Sequence, residues 1–272
     1  MAETAVIIAG NGPSLERADP AQVKAGDRIL RVNNFFFEPV HHLGRRVDLA
    51  VMGGDPRVAP FMLESLARAA RASYDIAAWT GFDARVVKAG RRLALPFADP
   101  LPWPAELEAG IAELTTRYQR KLTTGTRAAI QGWGMARDEG LPGAILLGFD
   151  LYGGTAPYSF APGRHFRALM GHDLNREGGR TGQHDPELDR AVLGLLAEHG
   201  ARTGGPALWH GAAGTALDGM LDPAPLREGP TAEGVGLPRT EGETDWPERA
   251  GAYPILLLRA LRRVRALTLR RD

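Results

Sequence analysis

Short apolar runs alternate with amphipathic segments along most of the chain. The runs that predict strands are TAVIIAG (4–10), DRILRVN (27–33), VDLAVMG (47–53), YDIAAWT (74–80), GAILLGFD (143–150) and PALWHG (206–211). The segments that predict helices are PFMLESLARAARA (60–72), PAELEAGIAELTTRYQ (104–119), TTGTRAAIQGWGMARDEG (123–140) and PELDRAVLGLLAEHG (186–200), with a short Pro-interrupted helical piece, SLERADPAQVKAG, at 14–26. Strands separated by helices predict an α/β fold with a parallel, doubly wound sheet.

Two regions interrupt this alternation. Residues 151–184 are rich in Gly and His and show little periodicity, and residues 222–250 are rich in Pro, Gly and acidic residues. The second region has the composition of an extended, irregular arm.

Composition restricts the classes of protein to consider. The chain has 272 residues, a formal net charge of +1 and no cysteine. This length suits one large domain, the charge gives no general sign of nucleic-acid binding, and disulfide and thiolate chemistry are excluded. Because the MAET start is not basic and the apolar run after it is short, we expect neither a signal peptide nor a membrane span, and hence a cytoplasmic protein.

A glycine-rich turn follows the first predicted strand. It reads Gly10-Asn11-Gly12-Pro13-Ser14, and such turns let backbone N–H groups approach a phosphate or a ribose. The dinucleotide fingerprint is incomplete here, since Leu15 stands in place of the third glycine and Asn33-Asn34 in place of the acidic residue. Two interpretations remain open: a loop that binds a nucleotide other than NAD, and a tight turn that only leads into a helix.

Several longer motifs resemble one family. VIIAGNGPSL, RVNNFFFE followed by LGRR, LTTG (122–125), LLGFDLYGGTAPYSF (146–160) and GQHDPELD (182–189) resemble the bacterial sialyltransferases of glycosyltransferase family 42, in the family's order and near its spacing. The resemblance implies a Rossmann-like nucleotide-binding domain, a GT-A-like variant, formed by 1–150 and 185–222, with a small lid at 151–184. An irregular arm (223–251) and a basic helix (252–272) follow.

The resemblance also implies catalytic residues. His184 stands where the family keeps its catalytic histidine, a side chain that titrates near neutrality as a general base does. Tyr152 and Tyr158 match two tyrosines whose hydroxyls bind the leaving phosphate, as neutral donors. Read from the residues alone, His184 fits a surface histidine beside a helix cap, and the two tyrosines fit packing residues.

Substrate contacts are implied at further positions. They are Gly10, Asn11, Gly12, Pro13, Asn33, Arg120, Thr123, Thr124, Gly148 and Asp150. Two positions depart from the family pattern: Arg120 lies one residue further from the Thr pair than the family arginine, with Lys121 in the nearer place, and Asp55 replaces an asparagine. Thr123 and Thr124 also suit the capping of a helix.

The implied activity is an inverting transfer of sialic acid from CMP-sialic acid to a hydroxyl of galactose or sialic acid on a bacterial surface glycan. We expect no metal and no cofactor, because the tyrosine pair would stabilise the phosphate and no Asp-x-Asp motif is present. The alternatives are another CMP-activated nonulosonic acid as donor, of the Kdo or legionaminic type, or a non-catalytic glycan-binding module at the membrane. We expect a lipid-linked acceptor, a homo-oligomer and no nucleic-acid partner.

The C-terminal segment YPILLLRALRRVRALTLRRD predicts a basic amphipathic helix. Leu257, Leu261, Val264 and Leu267 share one helical face, and six arginines supply positive charge. This composition fits a helix lying on the anionic cytoplasmic face of the inner membrane. It fits equally a helix that packs on the body or on a second subunit.

Overall fold

The computed structural model describes residues 4–53, 59–93, 95–153, 156–170 and 184–240, together with 242, 244, 245, 260, 261 and 264. The strands are β1 (Val6–Ala9), β2 (Arg28–Val32), β3 (Val40–His41), β4 (Arg46–Met52), β5 (Asp75–Gly81), β6 (Gly143–Leu147), β7 (Ala207–His210), β8 (Asp222–Pro223) and β9 (Leu237–Pro238). The helices are α1 (Ala59–Ala72), α2 (Ala84–Gly90), α3 (Ala105–Tyr118), α4 (Thr124–Asp138), α5 (Arg164–Met170) and α6 (Pro186–Thr203).

Seven strands of the described chain form one parallel sheet in the order β5-β4-β2-β1-β6-β7-β8. From β1 the chain proceeds to β2 on one side of the sheet, whereas β6 pairs with β1 on the other side. The loops after β1 and β6 therefore diverge at the carboxyl edge of the sheet, where open α/β sheets form a ligand crevice. The predicted α/β, Rossmann-like fold is confirmed.

The central strand β1 is buried on both faces, and its side chains alternate between two cores. Val6 and Ile8 belong to the cluster that includes Trp133 of α4. Ile7 lies in the opposite cluster with Leu15, which comes from a 3₁₀ helix at Pro13–Arg17. Short 3₁₀ helices therefore stand where the sequence predicts a Pro-interrupted helical piece, because proline removes the backbone donors that a longer helix needs.

The described part of the arm after β8 contains the short strand β9 and is anchored to the main sheet. Arg227 forms a bidentate ion pair with Asp27, with N–O distances of 2.6 and 2.9 Å, and both side chains are buried. Further along, β9 pairs with β3 in an antiparallel ladder. A bidentate pair with a buried arginine fixes both distance and orientation, so this part of the arm has a defined course.

Helix α5 was missing from the sequence prediction for the lid region. Its cap comes from a residue far along the chain, since the carboxylate of Asp245 accepts hydrogen bonds from the backbone N–H groups of His165 (3.0 Å) and Phe166 (3.1 Å). The remainder of the predicted lid, 171–183, lies outside the described residues.

Most of the predicted C-terminal helix also lies outside the described residues. Residues 260, 261 and 264 are helical, and Leu261 and Val264 are exposed. Within the described chain, none of the helices combines the length and the hydrophobicity that crossing a membrane requires.

The loops after β1 and β6 touch each other closely. A Cβ atom on Gly10 would lie 2.4 Å from the carbonyl oxygen of Gly148, which is too close for any side chain. The N–H group of Gly10 donates to the carbonyl of Leu147 at 2.8 Å and keeps the two loops together.

We expect Gly10→Ala to destabilise the protein by about 1–3 kcal/mol, because the added methyl group forces two backbone segments apart. The measurement is urea denaturation followed by circular dichroism. Gly194→Ala is the matched control, since a Cβ there meets nothing within 4 Å and alanine favours the helix. Equal stability of the two variants would show that the loop contact tolerates a side chain.

Candidate active site

The glycine-rich loop is tied to the loop after β6 by its own backbone. The N–H of Gly12 donates to the carbonyl of Gly148 at 3.0 Å, and Asp150 Oδ2 accepts from the N–H (3.1 Å) and the hydroxyl (2.8 Å) of Ser14. These hydrogen bonds hold the two loops together at the carboxyl edge of the sheet. Gly10, Gly12, Gly148 and Asp150 take part in this contact, Pro13 begins the 3₁₀ helix, and their substrate contacts stay predictions.

Asn11 presents an acceptor at this crevice. Its Nδ2 donates to the carbonyl of Val32 at 3.0 Å, and its Oδ1 is buried without a hydrogen-bond partner among the described residues. A buried amide oxygen without a donor is unfavourable, so a ligand hydroxyl or amino group would stabilise it. The predicted binding role of Asn11 stays a prediction, with which this unsatisfied acceptor is compatible.

Asn33 lies at the end of β2 and shapes the next loop. Its backbone adopts the left-handed region (φ 45°), and its Oδ1 accepts from the N–H of Gly53, which follows β4, at 2.9 Å. A left-handed backbone is uncommon outside glycine, and asparagine adopts it more easily than most residues. Asn33 thereby holds the end of β4 beside the crevice.

The Thr pair begins helix α4. Thr123 Oγ1 accepts from the N–H of Thr126 at 3.2 Å and caps the helix, as predicted. Thr124 packs against the loop after β4, since a Cβ on Gly53 would lie 2.0 Å from Thr124 Oγ1. Both threonines are half-buried at the carboxyl edge of the sheet.

Asp189 links this helix start to α6. It is 1% exposed, and its Oδ1 accepts from the N–H of Thr123 (3.0 Å) and the hydroxyl of Thr126 (2.7 Å). Burial raises the pKa of Asp189, and the hydrogen bonds from the two threonines and the proximity of His184 oppose that rise. Asp189 is absent from the residues predicted from the sequence. It follows Leu188 and lies about one turn from Val192 and Leu193, on the buried face of α6.

His184 stands immediately before α6. Its Nδ1 lies 2.8 Å from the carbonyl oxygen of Lys121, which can only accept, so Nδ1 carries the proton. In the neutral ring the lone pair is then on Nε2, which is the atom a general base would use. Asp185, the next residue, caps α6 by accepting from the N–H of Glu187 at 3.0 Å.

The two tyrosines lie near each other and near Asp189. Burial raises the pKa of Tyr152, and the nearby Tyr158 and Asp189 raise it further, so its phenol remains protonated at neutral pH. Tyr152 has a left-handed backbone (φ 61°), as does Leu151 before it (φ 45°). Two successive non-glycine residues in this region are strained, and such strain is concentrated at functional sites.

Aromatic packing fixes the position of Tyr158. Its ring stacks on Phe160, with centroids 5.0 Å apart, and meets Phe166 of α5 edge-on at 5.7 Å. Phe166 in turn contacts Phe37 of the sheet domain at 5.8 Å. The segment that carries Tyr158 is therefore docked on the body through a chain of rings.

The remaining predicted residues have less defined surroundings. The guanidinium of Arg120 donates to the carbonyl of Gln119 at 2.9 Å, and its predicted contact with the substrate stays a prediction. Asp55 lies outside the described residues. Burial lowers the pKa of both His41 and His42 to about 4, so both rings are neutral at neutral pH. Among the described residues, no group of three or more His, Asp or Glu side chains is arranged to hold a metal ion.

Solved structures of sialyltransferases from Campylobacter jejuni share this fold. CstII in complex with the substrate analogue CMP-3FNeuAc has a TM-score of 0.69 at 17% identity, over 93% of this chain and 98% of that one. The monofunctional α-2,3-sialyltransferase Cst-I has a TM-score of 0.65 at 16% identity, over 96% and 95%. CstII with a trisaccharide acceptor and CMP has a TM-score of 0.64 at 17% identity, over 91% and 97%.

Matches at the level of sequence are absent. No protein-family model and no curated protein sequence matches the chain. The resemblance drawn from the motifs is thus confirmed in the fold, and the roles of individual residues stay predictions.

We expect Asp189→Asn to change how stability depends on pH. A carboxyl group with a raised pKa in the folded protein binds its proton more tightly there than in the unfolded chain. Its contribution is therefore fully present below the ordinary value of 3.8 and is lost as the pH rises through the raised folded value. Asparagine keeps the Oδ1 acceptor and removes this titration.

The measurement is urea denaturation of both proteins at intervals from pH 4 to pH 7. The stability of the wild type relative to Asp189→Asn should fall across this range. Asp189→Ala is the contrasting variant, because it also removes two hydrogen bonds and should cost about 1–3 kcal/mol at every pH. Parallel pH curves for wild type and Asp189→Asn would mean that Asp189 titrates normally.

Proposed function

We propose that the chain is a glycosyltransferase, an inverting sialyltransferase that moves sialic acid from CMP-sialic acid to a hydroxyl of galactose or sialic acid on a bacterial surface glycan. The observation that carries the proposal is the linked cluster of His184, Asp189, Thr123 and Tyr152 beside the β1–β6 crevice. It lies on a fold shared with sialyltransferases solved with CMP and with a trisaccharide acceptor.

The proposed base is His184. With Nδ1–H held by the carbonyl of Lys121, Nε2 accepts the proton of the acceptor hydroxyl. The acceptor oxygen then bonds to the anomeric carbon of the donor while the bond from that carbon to the CMP phosphate breaks. Attack on the face opposite the leaving group inverts the configuration.

The proposed donors to the leaving phosphate are Tyr152 and Tyr158. A phenol with a raised pKa stays protonated, so Tyr152 donates a hydrogen bond without adding negative charge beside the phosphate. Donors aimed at the charge that develops in the transition state stabilise it more than the ground state. Because two donors serve one phosphate, we propose that the transfer needs no divalent cation.

The proposed nucleotide and sugar contacts lie along the same edge of the sheet. Asn11 Oδ1 is a buried acceptor suited to a ribose hydroxyl or a base amino group. Asn33, Thr123 and Thr124 lie next to it at the ends of β2 and the start of α4, where neutral polar groups suit a sugar.

The test of this function is release of CMP from CMP-sialic acid in the presence of simple galactosides, with EDTA throughout. We expect turnover in EDTA, and a smaller or absent signal with CMP-Kdo or a CMP-activated legionaminic-type acid. Loss of turnover in EDTA that Mg²⁺ or Mn²⁺ restores would overturn the metal-independent mechanism. Binding of glycans without any CMP release would favour the non-catalytic module.

We expect His184→Ala to lower turnover about 10²- to 10⁴-fold, the usual contribution of a general base, with little change in donor affinity. His199→Gln is the matched control, because His199 lies on α6 but packs against Trp133, with ring centroids 5.6 Å apart. Near-normal turnover of His184→Ala with an unchanged melting curve would show that His184 is not the base.

We propose further that the C-terminal helix attaches the protein to anionic lipid at the cytoplasmic face of the inner membrane, near a lipid-linked acceptor. The exposed side chains of Leu261 and Val264 and the six arginines of 252–272 support this. Each arginine near the surface contributes roughly 1 kcal/mol to binding.

Removing residues 252–272 should weaken co-sedimentation with phosphatidylserine-containing liposomes and leave transfer to a small soluble acceptor intact. Binding of the full chain should fall as salt rises, since ions screen the attraction over about 10 Å at 0.1 M. If the helix packs on the body or on a second subunit instead, truncation lowers the melting temperature or changes the oligomer. Equal sedimentation of both forms would remove the membrane proposal.

A further inference from the structure

Helix α4 carries an arginine, Arg127, that has no carboxylate partner within the described part of the chain. The guanidinium of Arg127 lies 5.0 Å from the centre of the Phe82 ring, and the residue is half-buried. Among the residues that the structure describes, no acidic side chain lies within the 4.0 Å of an ion pair with it. Burial lowers the pKa of Arg127, yet the group stays charged at neutral pH.

Three other arginines, two buried and one over an aromatic ring, are paired with carboxylates. Arg31 is buried against Glu38, and Arg227 against Asp27. Arg137, on the same helix as Arg127, also lies over an aromatic ring, at 5.8 Å from Trp133, and pairs with Asp138 at 2.6 Å. A partly desolvated cation without a counter-charge is costly, and the described residues supply none to Arg127, so the guanidinium suits an anionic ligand.

Arg127 lies at the edge of the sheet that holds the candidate active site. It is one turn into α4, whose first residue, Thr124, packs against Gly53. Gly53 follows β4, and Phe82 directly follows β5, which is the neighbour of β4 in the sheet. The guanidinium is therefore beside the loop that Asn33 holds, on the side of the crevice away from the β1–β6 loops.

We propose that Arg127 binds the carboxylate of a sugar acid and so positions a substrate for transfer. This inference rests on the proposed function, which makes a carboxylate-bearing sugar the group that is transferred. The guanidinium lies over the Phe82 ring, 5.0 Å from its centre, and a planar guanidinium can donate two N–H groups to one carboxylate. Arg120, the arginine that the motifs suggest, donates one N–H group to the carbonyl of Gln119.

The experiment compares a ligand that has the carboxylate with one that lacks it. Calorimetry measures binding of CMP and of the 3-fluoro analogue of CMP-sialic acid to wild type, Arg127→Met, Arg127→Lys and Arg137→Met. We expect Arg127→Met to weaken binding of the analogue about 10- to 100-fold, the effect of losing a hydrogen bond to a charged group. The affinity for CMP should stay within about 2-fold of the wild-type value. Arg127→Lys should recover part of the loss, and Arg137→Met should change neither affinity.

A kinetic arm identifies which substrate supplies the carboxylate. KM is measured for lactose and for sialylated lactose as acceptors. If Arg127 binds the carboxylate of the donor, Arg127→Met loses affinity for the analogue as described above. If Arg127 binds the carboxylate of the acceptor, the KM of Arg127→Met rises about 10-fold or more for sialylated lactose and does not change for lactose. Either pattern supports the inference.

Two results would overturn it, and they differ from failure of the function itself. If Arg127→Met binds the analogue and uses both acceptors as the wild type does, the inference is wrong. The sialyltransferase proposal is unaffected by that result. Equal weakening of CMP and of the analogue, or a lowered melting temperature, shows a structural role instead. Wild type that binds neither CMP nor the analogue removes the proposed function, and the inference with it.

Discussion

The close contact between the loops after β1 and β6 is the constraint on which the site depends. Two backbones meet there at a distance that allows no side chain on Gly10, and hydrogen bonds from Gly10 and Gly12 lock them together. The same loop orients Asn11, whose backbone carbonyl oxygen accepts a hydrogen bond from the N–H of Ser159 at 2.8 Å. The segment carrying Tyr158 is thereby docked next to the crevice. The contact between the two loops therefore positions the glycine-rich loop, the Asn11 amide and the Tyr158 phenol.

A second constraint is the buried carboxylate of Asp189. Removing a carboxylate from water is unfavourable, and hydrogen bonds from Thr123 and Thr126 offset much of that cost. The result is a fixed junction between the starts of α4 and α6, the two helices that bring Thr124 and His184 to the sheet edge. The same junction lies near Tyr152, so the charge of Asp189 affects the pKa of Tyr152.

The fold was largely predictable because it follows from local patterns. Alternating apolar runs and amphipathic segments predicted the main strands and four of the helices, and Thr123 was correctly predicted as the cap of α4. Helix α5 was missed because its cap, Asp245, is distant in sequence. The role of Asp189 was also missed, since a carboxylate within an amphipathic helix looks solvated until its partners on another helix are known. The glycine-rich loop was recognised, but its donors proved to be used by the protein itself.

The sequence by itself determined the order of strands and helices, the fold class and the residues that resemble a sialyltransferase site, because periodicity and short motifs are properties of neighbouring residues. The tertiary structure decided which of those residues meet. It joined His184 to Lys121, linked Thr123 to Asp189 and set Arg127 over Phe82. These contacts span strands and helices far apart along the chain, and their distances depend on how the sheet edge and the helix starts pack together. No pattern of neighbouring residues contains that information.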